Sequence, residues 1–276
     1  MNTAQIMALA LEMAGLETIP GDSGIHHPGE GIERVLLGID LKAAELQIAK
    51  SLGYDCAISH HPVGGSSTLR FHEVLERHVE QMTSAGVPRQ VAETTMRKTI
   101  EDRRVLSSMT NYDHEPSVAR LLNLAYLNIH TPLDEIGRRR MAAVVDVLGE
   151  DTTVAAAIDR LYASFREFRE ADTRIELRVG SPESRLGRAV VSHAAGTNGG
   201  YPVAKAYFDH GVDTVFYIHC RPGDSDKLVA EFGSSKTLVV TGHIASDSVG
   251  ISPFVDALRS RGLTVNTFSG VLGAGP

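Results

Sequence analysis

Three places in this chain put metal-ligand residue types at spacings that chemistry can use. The first is His60-His61-Pro62, which follows the apolar run 54–59. Neighbouring side chains on a regular strand point to opposite faces, so such a pair converges on one ligand only just past the strand end, in turning backbone. The second is His130-Thr131-Pro132-Leu133-Asp134, and the third is Gly242-His243 followed by Asp247. In both, a histidine and an aspartate stand four residues apart, which on a helix places them on one face, one turn from each other. Imidazole is the commonest metal ligand near neutral pH. A mixed set of imidazoles and carboxylates suits zinc, manganese, iron or magnesium more than soft copper. Taken together the donors are too many for one catalytic zinc, and they suit two metals roughly 3.5–4 Å apart, bridged by a carboxylate and a water.

Each residue also has a plainer use. Asp134 is placed to cap a helix over 135–148, and Asp247 is a first-turn acid favoured by the helix dipole. Asp40 caps a helix over 42–52 or touches the site. A second pair, His26-His27-Pro28, sits in the Gly/Pro-rich segment 20–31 and reads as surface loop. His193 and His219 end strand-like runs and line the expected cleft, with Cys220 beside the latter. The glycine-rich stretch 196–200 either cradles a phosphate through backbone N–H groups or makes a tight turn.

The elements that must position these residues alternate. Strands are expected at 34–40, 54–59, 126–130, 174–179, 188–193, 212–219, 236–241 and 263–268. Helices are expected at 2–16, 42–52, 134–148, 151–170, 202–210, 222–232 and 248–262. Residues 64–125 carry apolar positions at helical spacing between charged ones and read as two or three amphipathic helices. The pattern predicts an α/β fold in layers, two α/β halves around a central metal-binding cleft. The first half takes 1–63 and 126–150, with 64–125 inserted in it as a helical segment; the second takes 151–276.

The 276 residues carry 42% hydrophobic and 22% charged residues, no tryptophan, and a net charge of −7, which speaks against general nucleic-acid binding. The run Arg138-Arg139-Arg140 reads as a solvated or interface face. No apolar stretch approaches the roughly 18 residues of a membrane span. The two cysteines, Cys56 and Cys220, lie in apolar runs and read as free thiols in a reducing compartment, so a cytoplasmic location is expected.

The order of the three motifs resembles the NIF-three-like family of dimetal-binding proteins, related to GTP cyclohydrolase type 2. That family carries His-His-Pro after an early strand, His-Thr-x-x-Asp near mid-chain, and Gly-His-x-x-x-Glu near the C-terminus. Asp22-Ser23-Gly24, Asp40 and the turn 196–200 add to the likeness, which covers nearly the whole chain. The resemblance implies two divalent metal ions per chain, zinc, iron, manganese or magnesium, held by His60, His61, Asp134, His243 and Asp247. It places His130 beside them, orienting a ligand or the substrate, and implies a homo-oligomer, a hexameric ring. Two departures stand out. Asp247 occupies the position of a family glutamate, and His219 and Cys220 stand where the family has a Thr-Gly-Glu turn.

Two functions follow as expectations. One is a metal-dependent hydrolase with a small-molecule substrate, nucleotide-like or phosphoester; no Gly-x-Ser-x-Gly and no reactive Cys–His pair competes for the nucleophile role. The other is a non-enzymatic, ring-forming metal-binding scaffold or partner-binding protein.

Overall fold

A computed structural model describes residues 1–273; residues 274–276, the end of the expected second half, lie outside the described residues. The chain opens with α1 (Thr3–Ala14), started by a capping box in which Asn2 and Gln5 exchange side-chain-to-backbone hydrogen bonds of 2.8 and 2.9 Å. There follow β1 (Gly24–His27), β2 (Arg34–Gly38), α2 (Ala43–Ser51) and β3 (Cys56–Ser59). The segment that reads as two or three helices forms five: α3 (Gly65–Leu69), α4 (Phe71–Val74), α5 (Glu76–Ser84), α6 (Arg89–Ser108) and α7 (His114–Leu122). Then come β4 (Ala125–Asn128), α8 (Thr131–Val145), α9 (Val154–Ser164), α10 (Arg166–Glu170), β5 (Glu176–Val179) and β6 (Ala189–Val191). The chain finishes with α11 (Gly200–Asp209), β7 (Thr214–Tyr217), α12 (Pro222–Phe232), β8 (Thr237–Val240), α13 (His243–Ser260) and β9 (Thr264–Phe268).

The strands form two sheets, ordered β1-β4-β3-β2-β9 and β5-β8-β7-β6. Each is parallel apart from one antiparallel edge strand, β1 on β4 and β5 on β8. Parallel strands carry their donors out at the same end of the sheet, the end where open α/β sheets bind ligands. Two features depart from the sequence reading. The Gly/Pro-rich segment 20–31, expected as loop, contributes edge strand β1. The last strand, counted with the second half, pairs in parallel with β2 in the first sheet.

Helices α8 and α13 form the layer between the sheets. Leu133 and Ile136 of α8, with Ile251, Phe254 and Val255 of α13, pack with Val35, Ile58 and Leu127 of the first sheet. Met141 and Val145, further along α8, and Ala245 and Val249, nearer the start of α13, pack with Phe216 and Val239 of the second. The crossing is close enough to require glycine. A Cβ on Gly250 would stand 2.0 Å from the Leu133 carbonyl oxygen, and one on Gly137 would stand 3.2 Å from the Gly250 nitrogen. Pro253 lies inside α13 and cannot donate to the carbonyl four residues back. The Arg140 guanidinium donates to that Val249 carbonyl instead. Arg139 donates to the Ala14 carbonyl at the end of α1, and Arg138 pairs with Glu135. Within the run, Arg140 thus ties α8 to α13 and the exposed Arg139 ties α8 to α1.

The inserted helices divide: α7 packs back on the first sheet and α2, with Val118, Ala119 and Leu122 against Leu36, Leu46 and Tyr126, while α4, α5 and α6 leave it. Phe71, Leu75, Val79, Met82, Ala92 and Met96 pack with Val203, Ala204 and Tyr207 of α11, over the outer face of the second sheet. No helix among the described residues is long and apolar enough to cross a membrane.

The crossing gives a direct prediction. Gly250→Ala forces backbone against backbone, where neither helix can relax by a rotamer change. It should cost about 1–3 kcal/mol or more, read by urea unfolding, whereas Gly149→Ala, which meets nothing within 4 Å, should leave the midpoint unchanged.

Candidate metal centre

The three sequence motifs meet between the two sheets. His60 and His61 directly follow β3, and their backbone N–H groups continue its ladder onto the Gly38 and Ile39 carbonyls at 2.9 and 3.0 Å. Their rings nonetheless lie side by side, with centroids 5.2 Å apart. His130 follows β4 and immediately precedes α8, whose first turn carries Asp134. His243 opens α13, one turn before Asp247. Gly242, the residue before it, has φ +98°, a backbone that side chains with a Cβ rarely adopt.

The donors converge. Asp247 Oδ2 lies 3.3 Å from His243 Nε2, 3.5 Å from His61 Nε2 and 3.7 Å from His60 Nε2. Asp134 Oδ1 lies 3.2 Å from His60 Nε2, and its Oδ2 lies 3.6 Å from His130 Nε2. Three overlapping triads have all their ligand atoms within 4.8 Å of one another: His60, His61 and His130; His61, His243 and Asp247; and His60, Asp134 and Asp247. All five residues expected as ligands are brought together, and His130 joins them.

A second layer of groups aims the rings. His61 Nδ1 donates to Asp40 at 2.9 Å, His60 Nδ1 to the Ile129 carbonyl at 3.0 Å, and His130 Nδ1 to Asp22 at 2.6 Å. In the neutral ring each bond places the proton on Nδ1 and leaves the Nε2 lone pair facing the centre. Asp22 is wholly buried and also accepts from Thr131 Oγ1 at 2.7 Å. Asp40 is thus not a helix cap; the N-cap position of α2 is Lys42, bonded by Glu45.

The electrostatics favour a cation. Burial pushes the Asp134 carboxyl up, but the imidazoles of His193, His130 and His60 outweigh it and hold it well below the usual carboxylate range. Burial likewise raises Asp247, and His61, His60 and His243 outweigh it there, so the net shift is downward. Burial lowers His130, yet the Asp134 and Asp22 carboxylates bring it up to about 9. Two ionised, buried carboxylates require positive charge beside them, which a protonated imidazole or a bound cation supplies.

Four buried atoms here have no hydrogen-bond partner: His60 Nε2, Asp134 Oδ1, His193 Nε2 and Asp247 Oδ2. Leaving one such group unsatisfied costs about 1–3 kcal/mol. A divalent cation with imidazole and carboxylate ligands satisfies these atoms, so the residues present fit a metal.

His193 belongs to no triad. It is 3% exposed, and its Nε2 lies 3.4 Å from Asp134 Oδ1. With His219, whose ring meets that of His243 edge-on at 4.8 Å, it lines a cavity of about 30 Å³ next to the aspartates. The sequence signal for both was a histidine ending an apolar run. His26 and His27 instead bond Asn128 and Asn123. Cys56 and Cys220 are free thiols, and neither joins a donor group. Residues 196–200 turn into α11, where a Cβ on Gly200, its first residue, would stand 2.6 Å from the Asp224 carboxylate.

The second layer carries a prediction. Asp22→Asn and Asp40→Asn keep side-chain size but weaken the hold on His130 and His61. Each should lower affinity for zinc or manganese about 10–100-fold, measured by competition with a chromophoric chelator, while Asn123→Ala, at His27, leaves it unchanged.

No family model matches the chain, and no curated protein matches it. A solved structure of a NIF3 superfamily protein from Sphaerobacter thermophilus is 47% identical, with 98% of each chain covered and a TM-score of 0.93. The fold likeness extends to reduced HcgD from Methanocaldococcus jannaschii, 13% identical over 97% of each chain with a TM-score of 0.58. It extends also to a Bacillus cereus protein related to NIF3, 10% identical over 100% of this chain and 98% of that one, with a TM-score of 0.54. The last two share the fold alone; the first, at its identity and coverage, shows that the chain belongs to the NIF3 superfamily.

Proposed function

We propose that the cluster holds two divalent cations, with His60, His61, Asp134, His243 and Asp247 as ligands, and that the protein is a metal-dependent hydrolase of a small nucleotide-like or phosphoester substrate. The observation that carries the reading is the set of unpartnered buried donor atoms, His60 Nε2, Asp134 Oδ1 and Asp247 Oδ2, at the junction of the triads. Asp247 sits among three imidazoles, its Oδ2 3.3–3.7 Å from the Nε2 atoms of His243, His61 and His60, and would hold ions together with them. The nitrogen and oxygen donors, with no thiolate among them, suit zinc, iron, manganese or magnesium. When bound, such a pair lowers the pKa of a shared water towards about 7 and polarises a phosphoryl or carbonyl oxygen.

The protein's own groups complete the site. His130, tied to Asp22, stands beside Asp134 and keeps that carboxylate ionised and oriented. His243 is 43% exposed, so substrate reaches the centre from the side of His243 and His219 rather than through the buried His60. Self-association, hexameric by family resemblance, and a cytoplasmic location belong to the same proposal. Exposed apolar side chains at the end of α6 and just beyond it, Leu106, Met109 and Tyr112, support self-association.

One observation favours a second reading. The cavity beside the aspartates has room for little more than a water or an ion, which suits a metal-binding scaffold without turnover. One experiment separates the two. Metal analysis after reconstitution should give two ions per chain for the wild type and at most one for His243→Ala. Turnover on a panel of phosphoesters and nucleotides should vanish with chelator and with His60→Ala. Full metal loading with no turnover leaves the scaffold reading standing, and a wild type that takes up no metal refutes both.

A further inference from the structure

The strap between β6 and α11, residues 192–199, carries His193 to Asp134 and walls the cavity with Ala194, Gly196, Thr197 and Asn198. Its backbone is strained: Ala194 has φ +61°, with Gly196 at +72° and Gly199 at +76°. A left-handed residue bearing a Cβ costs of order 1–3 kcal/mol and persists only where its surroundings hold it.

The hold comes from the inserted helices. On α5, Arg77 Nε donates to the Ala194 carbonyl at 2.6 Å, and Gln81 Nε2 donates to the His193 carbonyl at 2.6 Å. These two residues are one turn apart on one face of the helix. Between them His78, wholly buried, hydrogen-bonds Thr197 Oγ1 at 3.1 Å. Phe71 and Leu75 press on the strap at Gly196, where a Cβ would meet the Phe71 ring at 3.0 Å. Arg77 has a second partner. Its Nη2 donates at 2.8 Å to Glu135, the residue after Asp134, and Arg138 holds the same carboxylate by two bonds of 2.8 and 2.6 Å. One guanidinium therefore links the residue after His193 to the residue after Asp134.

We infer that α5 is a positioning element of the centre, with Arg77 fixing His193 against Asp134 and so setting the wall of the metal cavity. The inference rests on the proposal that this centre binds metal. A fork of five donors in one plane can serve a carbonyl and a carboxylate at once; a lysine ammonium on a flexible stem cannot hold both in the same geometry. The segment that packs on the second sheet thus reaches the donors of the first.

The test uses Arg77→Met and Arg77→Lys in the full chain. In metal-free protein, hydrogen exchange at strap amides 193–199 should quicken at least tenfold in Arg77→Met, while α13 keeps its wild-type protection. With cobalt(II), the visible band of Arg77→Met should shift, and its affinity should fall about 10–100-fold. Arg77→Lys should recover part of the affinity through the Glu135 charge, yet keep fast strap exchange. Strap exchange at the wild-type rate overturns the inference. So does a uniform quickening across the molecule with an unchanged cobalt spectrum, which marks a purely structural role. A wild type that binds no cobalt refutes the metal proposal instead, and the exchange measurement then decides whether α5 holds the strap.

Discussion

The close crossing of α8 and α13 is the constraint on which the centre depends. Each helix begins directly after a parallel strand, one in each sheet, and each carries an aspartate near its first turn. With Gly250 against the Leu133 carbonyl and Gly137 beside it, the backbones approach closely enough to bring Asp134 and Asp247 within 3.2 and 3.7 Å of His60 Nε2. A side chain at the crossing would wedge the helices apart and separate the aspartates. Both aspartates and His60 are buried there, which strengthens each electrostatic interaction among them.

Burial sets the second requirement. Two carboxylates sharing a dry site repel each other, and the structure answers with imidazoles whose far nitrogens are tied down. Asp22, Asp40 and the Ile129 carbonyl each hold one Nδ1, so three rings present Nε2 at the centre. What remains is a group of buried donors without partners, complementary to cations and unfavourable without positive charge. Asp247 reaches that group although it is one methylene shorter than the family's glutamate. It does so from the first turns of α13, whose position the glycine crossing fixes.

Much of this was legible in the chain. A histidine just past an apolar run marks a strand end, and a histidine four residues before an aspartate marks one helix face; both signals are local, and the structure brings those residues together. The helix expected at 248–262 runs through Pro253, but it starts at His243 because Gly242 supplies the turn. Other features depend on distant partners. Nothing local in residues 263–268 says which sheet they join, and they pair across the fold with β2. Edge strand β1 lies in a segment rich in turn formers and lacks apolar alternation. The inserted helices show an amphipathic period, but the surface that α4, α5 and α6 cover belongs to α11, far along the sequence. His193 enters the site because a strained strap is gripped from α5, which its spacing from the other donors does not reveal.

The central claim is that two cations lie between the β3–β4 strand ends and the first turns of α8 and α13. Anomalous scattering from crystals grown with manganese or zinc tests it most directly. Two peaks roughly 3.5–4 Å apart, both within bonding distance of the Asp247 carboxylate and flanked by His60 and His243, are the predicted result. A single peak away from Asp247, or no peak at saturating metal, would contradict it.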